Sequence, residues 1–202
     1  MSVPLLHDVP DPLRFLAPGR IIDYHHPSVH DKAAVLAAGL TDDTSIAERC
    51  FLFVRDEIRH SADFRENPVT LTASEVLLHS TGFCYAKSHL LAALLRANGI
   101  PAGLCYQRLV NDNRARPFCL HGFNAVYLRE HGWYRIDARG NKPGIETRFA
   151  PPAEHLAYIP REPGEGDMPG IFAEPLPAVS EVLGWCRNYR EVLENLPDCT
   201  VP

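Results

Sequence analysis

The chain has 202 residues, enough for one domain with a real core, and a net charge of −5 with both signs interspersed. That balance argues against a nucleic-acid binder, and no run of like charges marks a tail or a membrane-surface patch. No apolar stretch approaches the roughly 20 residues that cross a bilayer, and Met1–Pro18 has neither a basic start nor a long apolar run, so a cytoplasmic chain with reduced thiols is expected.

Residues 1–20 are rich in proline and read as an extended arm or short turns. Arg20–Tyr24 is expected as a short strand. His25, His26 and His30 crowd the next stretch, but their spacing matches no metal site, so a solvated loop leading into a helix is expected there. The pattern then predicts a helix over His30–Leu40, a capping loop over Thr41–Thr44, and a second helix running to about Arg59. Ser45 and Glu48 resemble a capping box for that helix, and Ile46, Cys50, Phe53, Val54 and Ile58 mark its buried stripe. His60–Pro68 breaks the period and reads as a loop. A short helix over Ala73–His79, capped by Thr72, leads to a tight loop at Gly82.

Cys84 opens the next helix. Leu90, Leu91, Leu94 and Leu95 form its core stripe, and Gly99 and Pro101 end it. At a helix start the unpaired N–H groups and the positive end of the helix dipole favour a thiolate. The alternative is that Cys84 is one more small buried apolar residue. After this helix the period changes to alternation. Strands are predicted over Ala102–Val110, Phe118–Leu128 and Trp133–Ala138, joined by a polar loop and by a turn at Arg129–Gly132. A meander after a helix makes the fold class α+β.

From Arg139 to Pro177 proline and glycine are frequent, and Glu162–Asp167 reads as irregular. Phe149, Leu156, Tyr158, Ile159, Ile171 and Phe172 are apolar anchors that would pack this segment on the core as one wall of a groove. A last helix is expected over Ala178–Leu196. The organisation read from the chain is a single domain over 1–202. It comprises an arm and helix (1–44), a catalytic core (45–145), and an irregular wrap with a C-terminal helix (146–202).

Six cysteines occur, none in a C-x-x-C pair, and no His/Cys cluster has zinc spacing. Cys50 and Cys186 fall on apolar helix faces, Cys105 lies in a strand, and Cys199 is near the tail. Cys119 shares a strand face with His121. In chain order the candidate catalytic residues are Cys84, His121 and Asp137, a nucleophile, a base and a group to orient the base. Period-two geometry sets a condition on the last two. A two- or four-residue hairpin loop opposes His121 to Gly140 and sends Asp137 to the other face. An odd loop, or one bulged residue at Gly132, opposes His121 to residue 139 or 141 and makes Asp137 a same-face neighbour. The alternatives are a strand histidine bonded to backbone, and an aspartate that caps a turn or pairs with Arg139.

The run Gly82-Phe83-Cys84, the run from Leu94 to Ala102, His121 ahead of an alternating strand, and Gly132-Trp133-Tyr134-Arg135-Ile136-Asp137 together resemble the core of the transglutaminase-like superfamily. Phe53–Ile58 resembles the helix that precedes this core in small microbial members. The resemblance implies a papain-like α+β fold in which a helix carries the Cys and a sheet carries the His and Asp. It also implies acyl transfer through a thioester, with no cofactor. The chain is far shorter than animal transglutaminases and has no calcium loop of the EF-hand type. Hydrolysis of a peptide or small amide, or its transfer to an amine, is therefore expected. The Cys84 backbone N–H is the expected first oxyanion donor, and the second could come from His60–Ser61 or from near Tyr24. Rival readings are an N-acyltransferase fed by a thioester donor, for which no Gly-rich phosphate loop is visible, and a non-catalytic peptide-binding module.

Overall fold

The structure is a computed structural model that describes residues 10–111 and 117–200, so most of the polar loop at 111–117 and the start of the N-terminal arm lie outside the described residues. The helical half comes first: a 3-10 turn (Pro12–Phe15), α1 (Pro27–Ala37) and α2 (Asp43–Glu57). There follow β1 (Arg59–His60), α3 (Ser61–Phe64), α4 (Ala73–His79), β2 (Thr81–Gly82) and α5 (Cys84–Ala97). The sheet half comprises β3 (Ala102–Val110), β4 (Phe118–Leu128), β5 (Gly132–Ile136) and β6 (Gly166–Asp167), followed by α6 (Pro177–Trp185) and α7 (Tyr189–Glu194).

Helix α5 is buried from Cys84 through Arg96. Helices α1, α2 and α4 pack around it on one side, and β3 and β4 close it on the other. A helix buried on every side, with Lys87, His89 and Arg96 among its polar exceptions, belongs in the centre of a domain. The four-stranded sheet has the order β5-β4-β3-β6, and its main ladders are antiparallel. Alternation splits it into two faces. Leu104, Tyr106, Leu120, Val126, Tyr134 and Ile136 join the main core with α5. On the other face Cys105, Phe123 and Ala125 make a smaller core, covered by Trp133, Leu156 and Ile171. The last two come from the irregular segment, which thus packs on the sheet.

Several local expectations need correction. Arg20–Tyr24 forms bends, not a strand, because its polar groups are used elsewhere: Ile21 O accepts from Ala73 N at 3.0 Å, and the Asp23 carboxylate accepts from Ser74 N and Oγ at 3.0 and 2.6 Å. Helix α1 begins three residues early because Pro27 suits the first helical turn. Helix α2 is capped by Asp42, whose Oδ1 accepts from Ser45 N at 2.7 Å, so Ser45 and Glu48 form no capping box. The capping box belongs to α4, where Thr72 and Glu75 satisfy each other's backbone N–H groups.

The expected loop at His60–Pro68 instead starts as strand and helix: β1 pairs in parallel with β2, setting His60 against Gly82. The irregular segment contributes β6, which pairs with Gln107 and Arg108 of β3. The last helix is two, because the Asn188 side chain accepts from Arg190 N and Glu191 N and starts α7 afresh. Among the described residues, no helix is long and apolar enough to cross a membrane.

Candidate active site

The first turn of α5 is fixed to β4 by three devices. The Tyr85 hydroxyl donates to Leu120 O. Gly122 has no side chain where Tyr85 lies: a Cβ there would come within 2.9 Å of the Tyr85 ring and 3.3 Å of its Cα. Asn124 Nδ2 donates to Ser88 O at 2.9 Å and Gly103 O at 3.2 Å, tying α5 to two strands. Cys84, at the first helical position, is thereby set beside the β4 residues that flank His121.

The β4–β5 turn decides where Asp137 goes. Leu128 pairs with Gly132, so the loop is the odd, three-residue Arg129–His131, with Gly132 at φ 70°. A left-handed residue there is natural for glycine and costly for others. Carried past Asn124↔Ile136, this register sets His121 against residue 139 and puts Asp137 on the face of His121. The condition read from the sequence is met.

The side chains follow. His121 Nε2 lies 2.7 Å from Asp137 Oδ2. Asp137 Oδ1 accepts from Arg139 N at 3.0 Å, and Oδ2 accepts from Ala157 N at 3.0 Å. Cys84 lines the same cleft as His121 and is among the groups that push the imidazole up. The structure brings Cys84, His121 and Asp137 together, and all three are buried. The Tyr158 ring stands edge-on to the imidazole, with centroids 4.8 Å apart, and Phe123 stacks parallel to it at 6.0 Å.

Burial opposes a charged His121, but the Asp137 carboxylate and Cys84 outweigh it and push the imidazole up to about 10. Burial likewise works against the Asp137 carboxylate, but the His121 charge and hydrogen bonds from His121, Ala157 N and Arg139 N hold it below its usual range. The pair favours an imidazolium beside a carboxylate.

The reactive edge opens on a cleft of about 1030 Å³. Cys84 and His121 line it together with His60, Asp63, Arg139 and Tyr158. The wall expected from the irregular segment is present at Leu156–Ile159 and again at Arg161, Glu162 and Glu165. His60 pairs in neither tight contact nor ladder through its side chain; its Nδ1 lies 3.7 Å from Asp63 Oδ2. Asp63 is already occupied: Arg139 Nη1 and Nη2 donate to it at 2.8 and 3.1 Å, and Lys142 Nζ at 2.7 Å. Burial would raise the Asp63 carboxyl, but those hydrogen bonds hold it at about 2. Lys87, one turn beyond Cys84, donates to Ile58 O and, at 3.4 Å, to Arg55 O. Burial, with Arg139 nearby, brings Lys87 down to about 7.

Of the two places considered for a further donor, Tyr24 is used elsewhere, its hydroxyl donating to Leu16 O at 3.0 Å. The Ser61 hydroxyl is paired with Thr81 Oγ1 at 3.1 Å and fully buried. Sequence reasoning missed Lys87, Arg139, Asp63 and the Ala157 N–H. Lys87 had a signal, a charged residue on the buried helix next to Cys84. The Asp63–Arg139 pair spans 76 positions and had none. Among the described residues, no cluster of three or more His, Cys, Asp or Glu could hold a metal.

Residues 31–138 match the transglutaminase-like superfamily profile. The match spans more than half of the chain, and the chain belongs to that superfamily. The fold is similar to that of a candidate cysteine protease from Cytophaga hutchinsonii, with 20% identity and a TM-score of 0.53 over 68% of this chain and 45% of that one. The periplasmic domain of TgpA from Pseudomonas aeruginosa matches at 21% identity and a TM-score of 0.48, over 64% of this chain and 48% of that one. The chain thus spans less than half the length of either structure. Among curated proteins, none matches the sequence. The architecture is the α+β transglutaminase core, with a cysteine at a helix start packed on an antiparallel sheet.

Proposed function

We propose that the chain is a cysteine-dependent acyl-transfer enzyme acting on an amide bond of a peptide-like substrate. One observation carries the reading: His121, paired with Asp137 at 2.7 Å, lines one cleft with the Cys84 thiol. In this mechanism His121 takes the thiol proton and the Cys84 sulfur attacks the substrate carbonyl carbon. The carbon–nitrogen bond then breaks, and His121 returns the proton to the departing amine. Asp137 keeps the imidazole in the useful orientation and stabilises it while charged. The thioester left on Cys84 passes its acyl group to water or to an amine, and the thiol is regenerated. The names of similar proteins, a cysteine protease among them, are consistent with this chemistry.

The test is selective alkylation. Only a thiolate reacts fast with iodoacetamide, so at pH 6–7 Cys84 is expected to be labelled first of the six cysteines, as mapped by mass spectrometry. Earlier labelling of Cys119 or Cys199 would overturn the assignment of the nucleophile.

A further inference from the structure

Two buried imidazoles line the cleft, and the mechanism above uses one of them. The other, His60, is held by backbone: β1 pairs with β2 so that His60 stands against Gly82, two residues before Cys84. Its ring sits 5.7 Å from that of Phe83, the residue that caps α5. His60 therefore flanks the N-terminus of the helix that carries the nucleophile. The Cys84 N–H belongs to the first turn, where no carbonyl of the helix can accept it.

We propose that His60 is the side-chain donor which, together with the Cys84 backbone N–H, stabilises the oxyanion of the tetrahedral intermediate. The proposal rests on the acyl-transfer reading of the site. Three observations lead to it. First, His60 is 8% exposed, and that small exposed part lines the cleft shared with Cys84 and His121. Second, its Nδ1 is sealed from solvent without a hydrogen-bond partner. Asp63 is 3.7 Å away and its oxygens are taken by Arg139 and Lys142. A proton on Nδ1 would be a buried donor without an acceptor, which proteins avoid more strictly than a bare acceptor. The proton of the neutral ring therefore belongs on Nε2, the nitrogen left for the cleft. Third, the groups around the ring favour the neutral form. Burial holds His60 well below its usual range and Arg139 and Lys87 push the same way, as does His121, while only Asp63 opposes them. A neutral imidazole donates to a developing oxyanion without giving up its own proton.

A structural role for His60 predicts a different experiment from a catalytic one. Acetylation of Cys84 by p-nitrophenyl acetate passes through an oxyanion; alkylation by iodoacetamide, a displacement at saturated carbon, does not. In single-turnover measurements His60→Phe is expected to slow acetylation about 10²–10³-fold and to leave the alkylation rate of Cys84 unchanged. His60→Gln, which keeps a donor, is expected to recover part of the loss, and His60→Ala replaces the Phe variant if that does not fold. Equal losses in both reactions would assign His60 a structural role and overturn the proposal, as would an unchanged acetylation rate. If the wild-type chain alkylates at Cys84 but does not acetylate, the acyl-transfer reading falls and the assignment of His60 with it.

Discussion

His121 and His60 stand in one cleft, both nearly enclosed and each with an aspartate beside it, yet they hold protons in opposite ways. His121 is pushed up to about 10, and His60 is held well below its usual range. Burial acts in the same direction on both. The carboxylates differ. Asp137 is 2.7 Å from His121 and, among the described residues, is otherwise bound by two neutral backbone N–H groups. Asp63 is 3.7 Å from His60 and is bound by two cations, Arg139 and Lys142. A carboxylate raises an imidazole less when cations already neutralise its charge. Two histidines with similar burial are thereby given different charge states, the imidazolium favoured at His121 and the neutral ring at His60.

The largest effect should come from making His121 resemble His60. Asp137→Asn removes the charge and keeps the shape. Acylation of Cys84 is expected to fall about 10⁴-fold, measured as release of p-nitrophenolate. The pH dependence of stability should change with it. His121 has a folded pKa above its unfolded value, so its contribution is complete below about 6.5 and is lost as pH rises through about 10. Asp137 has a lowered pKa, so its contribution is present at neutral pH and is lost as pH falls through the folded value. Denaturant titrations from acid to alkali should therefore be flatter at both ends in the variant.

How much of this contrast the sequence carries depends on distance along the chain. Helix α5, the three long strands and the His121–Asp137 condition were legible because each is set by local period or by one hairpin turn. The turn itself was left open between even and odd loops, and Gly132 was the residue that marked the odd one. The segment from Arg139 to Pro177 reads as a wall, with Glu162–Asp167 irregular; β6 corrects the second part, since two residues suffice to pair with an exposed edge. The His60 side was not legible. Arg139, two residues past Asp137, looked like its partner, but its guanidinium reaches Asp63, and only its backbone N–H serves Asp137. Which of two carboxylates a cation takes is decided by packing between elements far apart in sequence.

The converse change should make His60 resemble His121. Arg139→Met removes the main cation from Asp63 and leaves its charge to act on His60. The His60 resonance, followed by NMR, is expected to titrate at higher pH than in the wild type. Loss of the two charge-assisted hydrogen bonds should cost about 2–3 kcal/mol in denaturant unfolding. An unmoved His60 would mean that burial alone keeps it neutral.

Lys87 feels the carboxylates of both sites, Asp137 and Asp63, and sharpens the comparison through pH. Its folded value of about 7 is below its unfolded value, so the unfolded chain binds more protons from about pH 7 upward. Wild-type stability relative to Lys87→Met is therefore expected to rise from pH 7 toward pH 10. The difference between the two proteins cancels the opposing loss from His121, which both retain. A difference that falls over this range would mean that the ammonium is favoured in the fold by its two carbonyl partners, Ile58 O and Arg55 O.

The smallest effect belongs to Lys142. Its ammonium donates to the same Asp63 oxygen that takes Arg139 Nη2, at 2.7 Å, but its side chain is 39% exposed while that of Arg139 is 6% exposed. Water screens an exposed cation and holds it loosely, so a pair of this kind contributes less than about 1 kcal/mol. Lys142→Met is accordingly expected to change unfolding free energy by less than that, and to raise the His60 titration by much less than Arg139→Met does. Denaturant unfolding gives the first reading, and one NMR titration series on the two variants gives the second. If the two substitutions move His60 equally, the enclosed geometry of Arg139 has no special part in neutralising Asp63. The contrast between the two histidines would then follow from the number of cations beside each carboxylate and not from their burial.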